Sequence, residues 1–327
     1  MKIGIIGAGT WGTALANMLA SSGYSLFVYS PTKEEVESLS TTRRHKHLDC
    51  VINDSIKFTN TIEDVVIDSH IVIFATPSVA IRSVANRVKD IVNKDQILVS
   101  VAKGIEPDTL YTMSEIIEDE LGKGYKIVAL SGPTHAEEVA IGLPTLIVAS
   151  SKDEEVAKEV QKVFSNNVLR VYTNTDIYGV ELCGALKNII ALAAGMSDGM
   201  GFGDNAKAAI ITRGLAEISR LGYKLGCDEH TFFGLTGIGD IVVTATSRHS
   251  RNHNAGELLG KGKSLEETLK EVGMVVEGVN ALVAAKQLSA KLDIKMPIVD
   301  AVYSVIYEGV DPKEAVVSLF NRKLISE

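Results

Sequence analysis

Short apolar runs alternate with amphipathic stretches through the first half of this chain, and then the short runs stop. Residues 2–6 (Lys-Ile-Gly-Ile-Ile) and 25–30 (Ser-Leu-Phe-Val-Tyr-Ser) read as buried strands. Between them Ala14, Leu15, Met18 and Leu19 recur at helical spacing, and Gly23 closes that helix. Further strands are expected over 70–75, 96–101, 126–130, 145–149 and 168–172. Helices are expected over 79–92, 108–121 with Asp108 as its cap, from His135, and near 153–164. Repeated strand–helix alternation implies a largely parallel sheet with helices on both faces. Beyond about residue 176 no convincing strand is found. Helical patterns run over 178–194, 206–221, 228–233, 240–246, 264–272, 278–292, 297–308 and 312–320. The fold class is therefore α/β, an N-terminal Rossmann-like, doubly wound, mostly parallel sheet over residues 1–178, then an all-helical domain over 179–327. The glycine-rich stretch 195–204 reads as an interhelical loop, there for close backbone approach or for mobility.

Composition changes this picture little. A length of 327 residues suits two domains, and a net charge of −8 argues against a nucleic-acid partner. The three cysteines, Cys50, Cys183 and Cys227, are widely spaced and form no Cys-x-x-Cys pair, which suggests a reducing compartment and no metal site. The apolar start is interrupted by Gly4, Gly7, Gly9 and Gly12, unlike a signal peptide. No later uninterrupted apolar run suggests a membrane span.

The glycines of the start have a better explanation. Gly7-Ala-Gly-Thr-Trp-Gly12 lies between a strand and a helix, with a second strand behind, the context a dinucleotide fingerprint requires. Gly7 permits the tight turn, Gly9 lets backbone approach a pyrophosphate, and Gly12 allows close helix packing. The acidic residue expected at the end of the second strand is missing; Tyr29-Ser-Pro-Thr-Lys33 stands there. NAD and NADP both stay open: Ser30 and Lys33 are candidate contacts for a 2′-phosphate, and Arg43 and Arg44, the further candidates, read better as a solvated loop.

The segment 181–194 carries the sharpest puzzle. Leu182, Leu186, Ile189, Ile190 and Ala193 form an apolar helical stripe, and Glu181 and Lys187 are its only charges. Burying a lone ammonium costs several kcal/mol. Lys187 therefore faces a cleft or an anion, or lays its stem on apolar surface with its head in water. Asp240, behind three glycines and before an apolar helix, is either an N-cap or the anion Lys187 needs. Ser250, Arg251 and Asn252 offer a hydroxyl, a guanidinium and an amide in a row, a set suited to phosphate or to a plain polar loop.

Together these motifs resemble the NAD(P)-dependent glycerol-3-phosphate dehydrogenases of the bacterial type. The resemblance rests on the glycine start, Val101-Ala-Lys-Gly-Ile-Glu106, Ser131-Gly-Pro-Thr-His-Ala136, Gly184-Ala-Leu-Lys-Asn-Ile189, Gly234-Leu-Thr-Gly-Ile-Gly-Asp240, Ser250-Arg-Asn252 and Val275-Val-Glu277, in the family's order. It implies a cytoplasmic enzyme that reduces dihydroxyacetone phosphate with NAD(P)H and supplies phospholipid synthesis. It implies Lys187 as the catalytic residue, and Lys103, Gly132, Thr134, Asp240, Ser250, Arg251 and Asn252 as substrate contacts beside it. It implies Gly7, Gly9, Thr10, Trp11, Gly12, Lys103, Ala136, Arg251, Val275 and Glu277 as cofactor contacts. The segment His47-Leu-Asp-Cys-Val-Ile52 departs from the family's Leu-Pro-Gly pattern, and Ser30-Pro31 lacks its usual basic residue. A homodimer is expected. The rival readings are a 3-hydroxyacid or 6-phosphogluconate type of dehydrogenase, and a non-enzymatic dinucleotide sensor.

Overall fold

The structure, a computed structural model, describes residues 1–324. The chain divides into two compact units. One comprises Met1–Lys103 and Tyr111–Glu181, the other Gly104–Leu110 and Leu182–Glu327. A single boundary at 178/179 does not anticipate that the short segment Gly104–Leu110 belongs with the helical unit.

The first unit is built on eight strands: β1 Lys2–Ile6, β2 Ser25–Tyr29, β3 Lys57–Thr59, β4 Ile71–Phe74, β5 Ile97–Ser100, β6 Lys126–Ser131, β7 Thr145–Ser150 and β8 Leu169–Asn174. Their order is β3-β2-β1-β4-β5-β6-β7-β8. Every pairing is parallel except β6 with β7. The connecting helices are α1 Thr10–Ala20, α2 Lys33–Thr42, α3 Ile62–Val66, α4 Ile81–Val88, α5 Met113–Leu121, α6 Ala136–Ala140 and α7 Glu154–Phe164. Alternate strand residues feed two cores. Ile3, Ile5, Ile71, Ile73, Ile97 and Val99 pack with Leu15 and Leu19 of α1 and Val160 of α7. Ile6, Val72, Phe74 and Leu98 pack with α3, α4 and α5 on the other face. With both faces covered, β4 and β5 are buried along their whole length, so they read as continuous apolar runs.

The second unit is helical: α8 Ile177–Gly199, which the chain enters from the first unit, α9 Asp204–Lys224, α10 Glu229–Phe233, α11 Asp240–Thr246, α12 Arg251–Gly260, α13 Leu265–Val272, α14 Glu277–Leu292, α15 Pro297–Tyr307 and α16 Pro312–Phe320. A π-helical turn, Leu235–Gly239, leads into α11.

Several elements differ from the sequence-based expectation, for local reasons. The strand β3 and the helices α2 and α3 were not expected. β3 is three residues long, and α2 buries only Leu39 along a largely charged stretch. The helix expected over 108–121 starts at Met113 instead, behind a Thr112–Glu115 capping box. Asp108 has φ +69° and exchanges hydrogen bonds with Gln287, whose side chain accepts from its N–H at 2.8 Å and donates to its carboxylate at 2.9 Å. The expected loop over 195–204 is mostly helix, since α8 continues to Gly199. The polar run Ser250-Arg-Asn252, which suits a loop in sequence, opens the helix α12.

One helix among the described residues, α8, is after all long and apolar enough to cross a membrane, and 94% of its apolar window is buried inside the protein. That is the position of a core helix.

Candidate functional site

The glycine loop behaves as its spacing implies. Gly7 has φ +122°, a region an L side chain rarely adopts, and its N–H donates to Tyr29 O at 3.0 Å, tying the loop to the end of β2. A Cβ on Gly12 would collide with the Gly7 carbonyl oxygen, whereas one on Gly9 would meet nothing within 4 Å. Gly9 is the N-cap of α1 and provides no side-chain cap. The N-terminus of α1 thus has open space beside Gly9, a setting in which first-turn N–H groups can receive an anionic diphosphate. Thr13 Oγ1 donates to Ala8 O at 2.9 Å and stiffens the turn. At the carboxyl ends of β1 and β4 the buried hydroxyls of Thr10 and Thr76 have no hydrogen-bond partner among the described residues. Open backbone donors and orphaned hydroxyls fit a dinucleotide. Trp11 lies in the same first turn.

A second cluster of the first unit surrounds Gly132. Its carbonyl oxygen accepts from Lys103 Nζ at 3.0 Å and from Thr134 Oγ1 at 3.1 Å. Gly132 has φ +150°, and Ala136 opens the short helix α6 just beyond. The structure thereby brings Lys103, Gly132 and Thr134 together.

The second unit answers the Lys187 puzzle. Lys187 is 6% exposed and Asp240 1%. Lys187 Nζ donates to Asp240 Oδ1 at 2.6 Å and to Thr244 Oγ1 at 2.7 Å, and Thr244 Oγ1 donates to Asp240 Oδ1 at 3.2 Å. The ammonium therefore has the counter-charge that its burial demands. Asp240 does not act as an N-cap; the cap position is Gly239, and the carboxylate is spent on the lysine. Asp240 and Thr244 are four apart on α11 and share a face. The π-helical turn places them: Gly237 sits so close to α10 that a Cβ would collide with the Phe232 carbonyl. Glu181, the other charge of the 181–194 stretch, is no partner of Lys187. It accepts from Ser114 N at 2.9 Å and Ser114 Oγ at 2.5 Å, and burial pushes its carboxyl up to about 7 despite those bonds.

Next to Lys187 on the helix is Asn188, which sequence reasoning left unassigned. Its Oδ1 accepts from Asn252 Nδ2 at 3.0 Å, and Asn252 Oδ1 accepts from Gly278 N at 2.8 Å. Asn252 is thus a buried link between α8 and α14 with part of its amide already committed. Ser250 caps α12 by accepting from His253 N at 3.2 Å. Arg251 is exposed; its Nη1 donates to Val275 O at 3.3 Å, two residues before Glu277 opens α14. His253 Nε2 and Lys207 Nζ each lie 2.8 Å from Asp198 Oδ2, linking α12, α8 and α9.

The crossing of α8 and α12 has a plain cause in the sequence. Gly195 and Gly199 of α8 face Gly256 and Gly260 of α12. A Cβ on any of the four would collide with backbone of the other helix: His253 O, Glu257 O, Leu192 O or Met196 O. The choice left open for the 195–204 glycines therefore resolves for Gly195 and Gly199 as close backbone approach. Thr244 and Asn188 carried no signal of their own in the sequence. Their spacing from Asp240 and Lys187 on the same helices was the one available clue.

Comparison with known proteins follows the same division. Residues 2–157 match the model for the NAD-dependent glycerol-3-phosphate dehydrogenase N-terminus, and residues 176–317 that for the C-terminus. The chain is 57% identical to glycerol-3-phosphate dehydrogenase NAD(P)+ 2 of Lactobacillus delbrueckii subsp. bulgaricus, covering 100% of this chain and 98% of that protein. It is 50% identical to the NAD(P)+ glycerol-3-phosphate dehydrogenase of Bacillus subtilis, covering 98% and 94%. The crystal structure of glycerol-3-phosphate dehydrogenase from Coxiella burnetii superposes with a TM-score of 0.94 at 34% identity, over 98% of this chain and 99% of that one.

Proposed function

The chain belongs to the NAD-dependent glycerol-3-phosphate dehydrogenase family, and on that premise we propose the chemistry its residues perform. The reaction is the reversible NAD(P)H-dependent reduction of dihydroxyacetone phosphate to sn-glycerol 3-phosphate, a precursor of glycerophospholipids. The observation that carries the assignment of roles is the buried Lys187–Asp240–Thr244 triangle beside the Asn188–Asn252 pair.

The reduced nicotinamide, when bound, supplies the hydride. Gly9, Thr10, Trp11 and Gly12 would hold its diphosphate by backbone donors at the start of α1, with Gly7 shaping the turn and Lys103 and Ala136 as further contacts. As C2 of the ketone accepts the hydride, negative charge builds on its oxygen. Lys187 stabilises that charge and gives the oxygen a proton; in the oxidative direction it takes the proton back. Asp240 and Thr244 aim the ammonium, so no reorganisation is needed as charge develops. Lys103, held by the Gly132 carbonyl, adds positive charge for the substrate. Arg251 and Asn252, at the N-terminus of α12 with Ser250, hold the phosphate, where helix and guanidinium both favour an anion. Binding energy at that remote group positions the reacting carbon.

The test is turnover of dihydroxyacetone phosphate followed by loss of reduced nicotinamide, beside 3-hydroxyacids and 6-phosphogluconate. Equal use of unphosphorylated dihydroxyacetone would remove the phosphate assignment. We further propose a cytoplasmic homodimer. Cys50, Cys183 and Cys227 form no disulfide among the described residues, which supports a reducing compartment. Phe320, 83% exposed at the end of α16, with Val317 and Leu324 also exposed, supports a surface covered by a second copy. Light scattering that returns the monomer mass at micromolar protein would exclude the dimer.

A further inference from the structure

The carboxylate missing from the end of β2 is present in space. Ser30, the residue after β2, is fully buried, and its hydroxyl donates to Glu35 Oε2, from the first turn of α2. Ser30 Oγ also accepts from Thr32 N at 3.4 Å, and Ser30 N donates to Thr59 O at 3.0 Å, so the hydroxyl is fixed by backbone on both sides. The preceding residue, Tyr29, accepts the Gly7 N–H at 3.0 Å, which ties this pair to the glycine loop. In a doubly wound sheet the adenosine ribose of a dinucleotide lies at the carboxyl end of β2, and an acidic side chain there selects the free 2′-hydroxyl.

We propose that Glu35, oriented by Ser30, is the specificity-determining carboxylate of the cofactor site and makes this chain prefer NAD over NADP. The proposal rests on the dinucleotide reading of the first unit. Glu35 is half-buried and its Oε2 takes the Ser30 hydroxyl; under the proposal, its second oxygen, Oε1, is the acceptor for a ribose hydroxyl. A 2′-phosphate in the same place would set two anions against each other. The basic run that follows does not reverse this. Arg43 is committed to the neighbouring loop, donating to Ile56 O at 2.9 Å and Asp54 O at 3.3 Å. Arg87 is committed to Tyr29, whose hydroxyl it meets at 2.5 Å. Arg44, Lys46 and Lys33 are exposed, where solvent and salt weaken their pull on a phosphate.

The experiment measures dissociation constants of NADH and NADPH for the full chain, read by quenching of its single tryptophan, Trp11, and by calorimetry. The wild type is expected to bind NADH at least about tenfold more tightly, the scale of one charge-assisted hydrogen bond. Glu35→Gln keeps an acceptor for Ser30 and is expected to bring the two constants within about threefold, by weakening NADH and strengthening NADPH. Ser30→Ala, with Glu35 intact but unanchored, is expected to weaken NADH alone, and it decides the matter should the glutamine variant fail to fold. Equal constants in the wild type, or a ratio unmoved by both substitutions in folded protein, overturn the proposal and leave the dinucleotide reading standing. Binding of neither nucleotide by the folded wild type overturns both.

Discussion

The two units build their candidate sites by opposite means. In the first, the glycine loop offers backbone N–H groups, and the side chains that matter are absent: no Cβ at Gly9, no Cβ to strike Gly7 O at Gly12. In the second, the proposed working group is a side chain, Lys187, and the groups that aim it from another helix, Asp240 and Thr244, are side chains too. A backbone site is made by a short run of residues, so it sits in one place in the sequence and tolerates little change of shape. A side-chain site is assembled from distant segments, so it is exposed to the loss of any single partner.

Removal of the reacting group itself should have the largest effect. Lys187→Ala is expected to lower kcat by roughly 10³-fold or more while the NADH dissociation constant stays within about twofold. Stopped-flow turnover with parallel nucleotide titration checks this, and near-normal kcat would remove Lys187 from the chemistry. Removal of its counter-charge tests how far the side-chain site is also structural. Asp240→Ala leaves a buried ammonium unpaired and is expected to cost about 3–5 kcal/mol of stability, visible as a shifted urea midpoint. An unshifted midpoint would mean that the pair is not held in solution. The backbone site should fail the other way, by addition. Gly12→Ala places a methyl against the Gly7 carbonyl and is expected to raise the NADH dissociation constant about tenfold or more, with kcat at saturating cofactor much less affected. A fall in kcat comparable to that of the lysine variant would erase the contrast between the two sites.

The smallest effect concerns a carboxylate outside both sites. Glu217 Oε1 accepts from Ile298 N at 2.8 Å at the start of α15, and burial pushes its carboxyl up to about 7 from 4.5. The folded state thus holds this proton more tightly than the unfolded state does. The resulting stabilisation is full below pH 4.5 and is lost as pH rises through about 7. Glu217→Gln should flatten that part of the stability–pH curve, measured as the difference from wild type by urea unfolding at each pH. Parallel curves for the two proteins would refute the shifted carboxyl.

Much of the fold could be read from the chain because its determinants are local. Ile71–Phe74 and Ile97–Ser100 are apolar throughout because both sheet faces are covered, and the glycine loop lies between two such runs. Lys187 was legible as an anomaly, a charge in an apolar stripe, and Asp240 as one of two candidate roles. What was not legible depended on crossings of elements far apart in sequence. Thr244 and Asn188 look like ordinary helix residues until α11 and α12 are laid beside α8. Glu35 carries no signal of its own in the sequence, because the residue it serves, Ser30, stands at the end of the preceding strand and the helix that carries Glu35 is not evident from the pattern. The start of α12 was hidden by its own purpose: Arg251, Asn252 and His253 are polar because they face other groups, and polarity in a row reads as loop.

The paired glycines of α8 and α12 have a consequence for distance. Where helices meet through side chains, a substitution can be absorbed by rotamers, and the spacing between the helices drifts. Here backbone rests on backbone, and no rotamer is available to adjust. Lys187, two turns before Gly195, and Arg251, just ahead of Gly256, are therefore carried on a caliper whose jaws are locked. On the roles proposed for Lys187 and Arg251, its opening gauges the separation between a reacting oxygen and a phosphate, and a substrate one carbon longer or shorter would meet a frame that cannot be reset without moving a whole helix.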